Sequence, residues 1–381
     1  MTQQTNLALK KLQGITPKGI KANQDSLASK RLIDLGSKEV KKYSSFVDVG
    51  VFQRAMYRDV EKELRDFEFG KEELDQFIRC GIINSFEGNE SKVFGTYSGC
   101  LLELLCKRAD LRGDRFNFYI DGENNKFDYL FFEANVVHDL IIENFTGHNL
   151  CSEIASGEGR AGNISIVNCA GDNAGATIAR HKGVVNSINI INHKGECILF
   201  NAGIICDMIN KINIFNSSGY LMGDRLGSTK GNIKRIRFVN NEGDASLHHL
   251  GYFTESINSV CLIQNKGKFS FGASGSNSKY DVNSMLVHNC DVEFKKNFKP
   301  KKLITDVFAE NDYNYLCNQF KFFMLRDYVI ESRKEQVDLI QYVDSFKDKS
   351  YKEIEPYFNC MRNAFSSLEK LINERPKQIW E

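Results

Sequence analysis

The chain lacks the features that mark exported, membrane-spanning and disulfide-built proteins. No charged-then-apolar leader opens it and no run of 18 uninterrupted apolar residues occurs, so neither a cleaved signal nor a membrane helix is expected, and the cytoplasm is the expected location. Its eleven cysteines are odd in number and form no CxxC pair or Cys/His spacing typical of zinc. That pattern argues against a disulfide framework and a structural metal. Cys169, Cys197, Cys206 and Cys261 stand among apolar and small residues, where a reduced thiol acts as a small hydrophobe. An excess of either charge is missing as well. With 50 basic and 49 acidic residues the formal net charge is +1, so bulk attraction to nucleic acid or to an acidic membrane is excluded and any such binding has to be local. Glycine is absent after Pro300, which separates the C-terminal part from all that precedes it.

What the sequence does have is a period. Glycines stand at Gly147, Gly171, Gly195, Gly219, Gly243 and Gly267, each 24 residues after the last, and Asn144, Asn168, Asn192, Asn216 and Asn240 stand three residues before the first five. Gln264 and His288 continue the asparagine column, with Asn265 and Asn289 beside them. Leu140, Ile164, Ile188, Ile212, Ile236 and Val260 form one apolar column, and Ile142, Ile166, Ile190, Ile214, Phe238 and Leu262 a second, two residues on. Two is the period of a strand, and a strand this short cannot bury its face alone. Stacking successive coils at the strand spacing of roughly 4.8 Å builds a continuous interior from like residues. The fold class is therefore mainly β, a parallel β-helix (β-solenoid) with 24-residue coils, flanked by N-terminal helices and a C-terminal α-helical hairpin. An earlier coil is expected at Phe116, Phe118, Ile120 and Gly122, giving about seven turns and a rod roughly 30 Å long. Asparagine suits a ladder at the bend because its amide both donates and accepts and tolerates unusual backbone angles, so Asn192 and Asn216 are expected to be buried and bonded to one another.

The stretches Asn168 to Gly183, NCAGDNAGATIARHKG, and Asn216 to Gly231, NSSGYLMGDRLGSTKG, resemble the glycine-rich GXGXG β-helix domain. That domain ends the large subunit of glutamate synthase and also builds one of the subunits of formylmethanofuran dehydrogenase. Gly171 and Gly175, and Gly219 and Gly223, match its order of turn glycines, while single glycines, Gly183 and Gly231, stand where the domain has a pair. The resemblance covers at most the central 150 residues. It implies a non-catalytic spacer and docking body and transfers no catalytic residue.

Four regions are expected. Residues 1–45 carry nine Lys or Arg against Asp25, Asp34 and Glu39 and form a basic N-terminal arm. Residues 46–112 are a helical cap region: Phe52, Met56, Val60, Leu64 and Phe67 recur at helical spacing, and Gly70 stops that helix before a second with Leu74, Phe77 and Ile78. The β-helix spans 113–297 and the helical hairpin 298–381. In the hairpin, Ser350 and Glu353 make a capping box for a helix whose stripe Ile354, Phe358, Met361, Phe365, Leu368 and Ile372 needs a partner. The segment with Leu316, Phe320, Phe323, Ile330, Val337 and Ile340 is one candidate, and a second copy or a foreign protein is another.

A 24-residue period places residues 24 apart side by side. Asp224 then stacks under His248 and Arg225 under His249, a polar cluster able to act as an acid/base pair or anion site, or merely to fix a turn. The small column Ala155, Ala179, Gly203, Gly227, Gly251 and Gly275 marks a tight corner. Polysaccharide cleavage needs converging carboxylates. Asp172, Glu196 and Asp244 are broken by Tyr220 and sit at turns, where an exposed acid is ordinary. Lys10, Lys11, Lys41 and Lys42 are candidate contacts to RNA or ribosomal phosphate. The expected function is a non-catalytic scaffold or interaction subunit of a larger assembly, with no cofactor, protein partners, and a homodimer through the C-terminal helices as one option. An RNA- or ribosome-associated factor is the main alternative.

Overall fold

In the computed structural model the described residues are 25–45, 52–84, 86–250, 256–271, 282–294, 302–305 and 333–374. They form a parallel β-solenoid of about seven turns with helices at both ends. Strands β1 (Asn117–Asp121), β2 (Val136–Glu143), β3 (Arg160–Val167), β4 (Val184–Ile191), β5 (Met208–Phe215), β6 (Asn232–Val239) and β7 (Ser256–Ile263) pair in order. β8 (Lys268–Phe271) then pairs with β10 (Asp291–Phe294), while β9 (Val282–His288) and β11 (Lys302–Thr305) complete the nine-stranded parallel sheet. The solenoid thus reaches Thr305, a few residues past the expected boundary.

From β2 to β7 the register is the sequence period. Leu140, Ile164, Ile188, Ile212, Ile236 and Val260 lie opposite one another, all buried. The period slips at both ends. Phe118, not Phe116, lies opposite Leu140, so the first coil is two residues short, and an even slip keeps the same face inward. At the far end Val260 meets Met285 and Ile263 meets His288, one residue more than the period. Asn289 (φ 49°), not His288, therefore takes the bend after Gln264 (φ 50°).

The bend divides its work between two residue types. Asn144, Asn168, Asn192, Asn216 and Asn240 carry the left-handed backbone, with φ of 50–56°. Glycine at Gly171, Gly195, Gly219 and Gly243 serves close stacking, since a Cβ there would collide with the carbonyl oxygen of the glycine one coil earlier.

Opposite the sheet each coil returns through a ribbon in which every second residue is left-handed, for example Asn173, Gly175, Thr177, Ala179 and His181. Its N–H groups bond alternately to the two neighbouring coils: Thr177 N–H to Phe200 O and Ala179 N–H to Ile154 O, both at 2.8 Å. Each left-handed non-glycine residue costs roughly 1–2 kcal/mol. The pairing of these left-handed residues' N–H groups with adjacent coils offsets that cost. Ala155, Ala179, Gly203 and Gly227 are four of these left-handed positions; Gly251 and Gly275 lie outside the described residues.

The segment expected as a basic arm is folded from Asp25 onward: α1 (Asp25–Tyr43) buries Leu32, Leu35, Val40 and Tyr43. Its apolar residues at spacings of three and five supply a buried face that the lysines obscured. Helices α2 (Phe52–Glu63) and α3 (Lys71–Asn84) follow as expected, and α4 (Gly88–Arg112) is buried on every side through its middle, from Val93 to Cys106. It closes the first coil. Ser98 Oγ accepts the Phe131 N–H at 2.9 Å and Glu103 Oε2 the Asn135 N–H at 2.8 Å, so the open edge of the solenoid is paired rather than exposed. Gly95 and Gly99 let the helix backbone lie against Tyr129 and Phe132.

At the other end of the chain, α5 (Arg333–Asp344), α6 (Tyr351–Ile354) and α7 (Tyr357–Glu374) lie across the outside of the sheet. The Ser350–Glu353 capping box is present, and the expected single helix breaks at Pro356, which cannot continue it. Of the roles expected for the stripe, packing within the chain is the one seen, which corrects its reading as an interaction surface. Ile354, Met361, Phe365 and Leu368 are buried against Val167, Ile191, Phe215, Val239 and Ile263 on the outer face of the sheet, together with Leu339, Val343 and Phe346, and Phe358 is half-buried beside them. The side chain of Ile372 and the segment from Leu316 to Ile330 lie outside the described residues, whereas Ile340 packs on this cluster and Val337 is exposed.

Candidate functional site: a groove under the C-terminal helices

The asparagine column positions these helices. Asn192 Nδ2 donates to Asn168 Oδ1 at 2.8 Å and Asn240 Nδ2 to Asn216 Oδ1 at 2.7 Å, so the ladder runs in pairs, and the bond expected between Asn192 and Asn216 is not made, Asn192 Oδ1 being buried without a partner. The side chains are half-buried on the outside, not enclosed as expected. Their remaining amide hydrogens reach the C-terminal segment: Asn168 to Lys349 O at 2.9 Å, Asn192 to Phe346 O at 2.7 Å, Asn216 to Val343 O, and Asn240 to Asp344 Oδ1 at 2.8 Å. Val343 O and Phe346 O also accept the N–H groups of Phe346 and Lys349 in the turns that end α5, so each takes the asparagine amide as a second donor. Glu143, fully buried, accepts the Tyr351 N–H at 2.9 Å and the Tyr119 hydroxyl at 2.8 Å. The enclosed ladder is the column one residue later, where Asn241 Oδ1 accepts the Ser217 N–H and Asn265 Oδ1 the Asn241 N–H, both at 2.9 Å. His193 sits in that column, and burial pushes its imidazole down to about 4.

Between α7 and the outer sheet face runs a groove of about 780 Å³. Its floor is polar. Asn163 Nδ2 donates to Asp139 Oδ1 at 2.6 Å, Ser187 Oγ to Asn163 Oδ1 at 2.6 Å, and Asn213 Nδ2 to Asn189 Oδ1 at 2.7 Å. At one end of the groove region Lys211, Arg235, Arg237 and Arg362 gather around a single carboxylate. Glu369 takes Arg235 Nε at 3.1 Å and an Arg237 amine at 3.0 Å, and the Arg237 guanidinium lies 4.0 Å from the Phe365 ring centroid. Among the described residues neither Lys211 nor Arg362 is in an ion pair. Burial, then the charges of Arg237, Arg362 and Arg235, lower the Lys211 ammonium, with Glu369 acting the other way. Arg237 Nε and Asn213 Oδ1 are buried without a hydrogen-bond partner. An unpaired buried donor, Arg237 Nε, beside surplus positive charge is the chemistry of an anion-receiving site.

The sequence-predicted cluster is also assembled. Asp224 is 4% exposed, with Oδ1 3.2 Å from His249 Nδ1 and 3.8 Å from His248 Nδ1, and Oδ2 3.7 Å from Arg225 Nε. Of the lysines, Lys42 pairs with Asp59 and Lys41 is exposed on α1; Lys10 and Lys11 lie outside the described residues. The turn acids have structural work: Asp172 Oδ1 accepts the Glu196 N–H at 2.8 Å and Asp244 Oδ1 the Lys268 N–H at 3.0 Å. Burial pushes the Cys169 thiol up to about 12, which leaves it inert. Lys211, Arg235, Arg237 and Asn213 stand in the 24-residue columns and were open to a column search; Arg362 and Glu369 meet them only through the fold of the C-terminal segment.

No protein-family model, curated protein or solved structure matches the chain. The function has to be argued from this geometry. No helix among the described residues is long and apolar enough to cross a membrane.

Proposed function

We propose that the protein is a non-catalytic interaction subunit, a rigid solenoid that receives an acidic group of a protein partner in the groove beneath its C-terminal helices. The observation that carries this reading is the surplus of cations there: Lys211 and Arg362, without ion pairs among the described residues, beside the unpartnered buried donor Arg237 Nε. A carboxylate entering the groove would neutralise the excess and supply the acceptor that Arg237 Nε lacks. The non-catalytic part is supported by the use of the turn carboxylates Asp172 and Asp244 as acceptors for backbone N–H groups of the next coil. Such acids are committed to the rod rather than poised over a substrate.

The test is capture from native cells at low salt, run side by side with wild type and Lys211→Ala/Arg362→Ala, followed by mass spectrometry. The reading expects a partner held by the wild type, lost in the variant, and released as salt rises, since the contact is charged. Identical capture by both proteins would remove the groove from the account. Turnover of acidic or neutral polysaccharides that disappears in Asp224→Ala would remove the non-catalytic reading.

A further inference from the structure

We propose that Asp224, His248 and His249 hold a divalent transition-metal ion of the zinc class, clamped between two adjacent coils. The ribbon places them. Asp224 stands in the return after β5, and His248 and His249 stand one coil on; the Arg225 N–H donates to His248 O at 2.8 Å, which fixes the spacing of the two coils at this point. In an ordinary strand neighbouring side chains point to opposite faces. Here His249 is left-handed (φ 58°), and both imidazoles turn to the same carboxylate, their ring centroids 3.7 Å apart.

The distances suit a metal. With metal–ligand bonds of roughly 2.0–2.1 Å, tetrahedral donors lie roughly 3.3–3.4 Å apart. The Asp224 Oδ1 to His249 Nδ1 and His248 Nδ1 separations of 3.2 and 3.8 Å bracket that edge, and one ligand atom from each of the three residues lies within 4.8 Å of the other two. A carboxylate with so little exposure is costly to bury without charge compensation. Two rings this close repel if both are protonated, whereas a divalent ion takes a lone pair from each neutral imidazole and charge from the carboxylate. Arg225 Nε lies 3.7 Å from Oδ2, the carboxylate oxygen other than the one nearest His249. Two imidazoles and one carboxylate select zinc, cobalt, nickel or copper over calcium or magnesium. Three protein ligands leave a fourth position for water or an incoming group.

The experiment uses the full chain, stripped with chelator and titrated with Zn²⁺ by calorimetry and with Co²⁺ by visible absorption. The wild type is expected to take one equivalent and to show the intense Co²⁺ bands of a four-coordinate site. His248→Gln and His249→Gln are each expected to weaken binding more than about tenfold, while His148→Ala, remote in sequence and paired with Asp172, leaves it unchanged. Zn²⁺ should raise the melting temperature of the wild type and not of the two glutamine variants. Absence of saturable binding by the wild type, or binding by both glutamine variants at wild-type strength, overturns the proposal. The wild-type titration decides the matter even if a variant does not fold.

Discussion

The column Asn168, Asn192, Asn216 and Asn240 and the column one residue later, His193, Ser217, Asn241 and Asn265, occupy neighbouring places of the same bend and face opposite ways. The inner column is enclosed: Asn241 is 1% exposed, and its Nδ2 donates to Ile214 O at 2.8 Å and to Asn265 Oδ1 at 3.0 Å. The outer column is half-buried, and its amides tie the rod to the carbonyls after α5. Water can replace lost partners on the outside and cannot on the inside. The same residue type at adjacent positions therefore does two jobs, one holding coil to coil and the other seating a separate element on the finished rod.

The largest expected effect lies in the inner column and depends on pH. His193 is buried with its pKa depressed to about 4, against an ordinary value of 6.5. The unfolded chain binds a proton there at a pH where the folded chain does not, so the stability contribution is fully present above about pH 6.5 and is lost as pH falls toward 4. The loss amounts to about 3 kcal/mol. Glu133, raised by burial to about 7, acts in the opposite sense, losing its contribution as pH rises from about 4.5 through 7. The difference between wild type and His193→Asn isolates the histidine. Urea unfolding of the two should converge at pH 4 and separate by pH 7, and parallel curves would place the imidazole in water.

Next in size is Asn241→Ala, which strands the Ser217 N–H in the core and should cost about 1–3 kcal/mol at neutral pH. The outer substitution Asn216→Ala should cost less, about 1 kcal/mol, and the exposed Lys194→Ala under about 0.5 kcal/mol. Chemical unfolding of the three variants would break the comparison if the inner and outer asparagines proved equal.

The apolar columns and the glycine column made the rod, its period and its interior legible, because a strand alternation repeated every 24 residues admits few other folds. The direction of the asparagines was not legible: one residue separates inside from outside, and the left-handed backbone at Asn192 (φ 54°) reverses the simple alternation. One signal was present and passed over. Val167, Ile191, Phe215, Val239 and Ile263 are a further apolar column pointing outward, and a sheet apolar on both faces is covered on both. Helix α4 escaped detail because it is buried all round and so has no polar stripe to frame it. The Asp224–His248–His249 cluster followed from the period; the cation-rich end of the groove needed Arg362 and Glu369, which no period relates to the coils.

The claim that the asparagine column is a seat for the C-terminal helices is tested most directly by hydrogen–deuterium exchange on Asn192→Ala/Asn216→Ala, the two amides that hold Phe346 O and Val343 O. The expected result is faster exchange across residues 333–374 with the protection of β3 to β6 retained. Unchanged exchange in 333–374, or a loss of protection spread evenly over the strands, would contradict it.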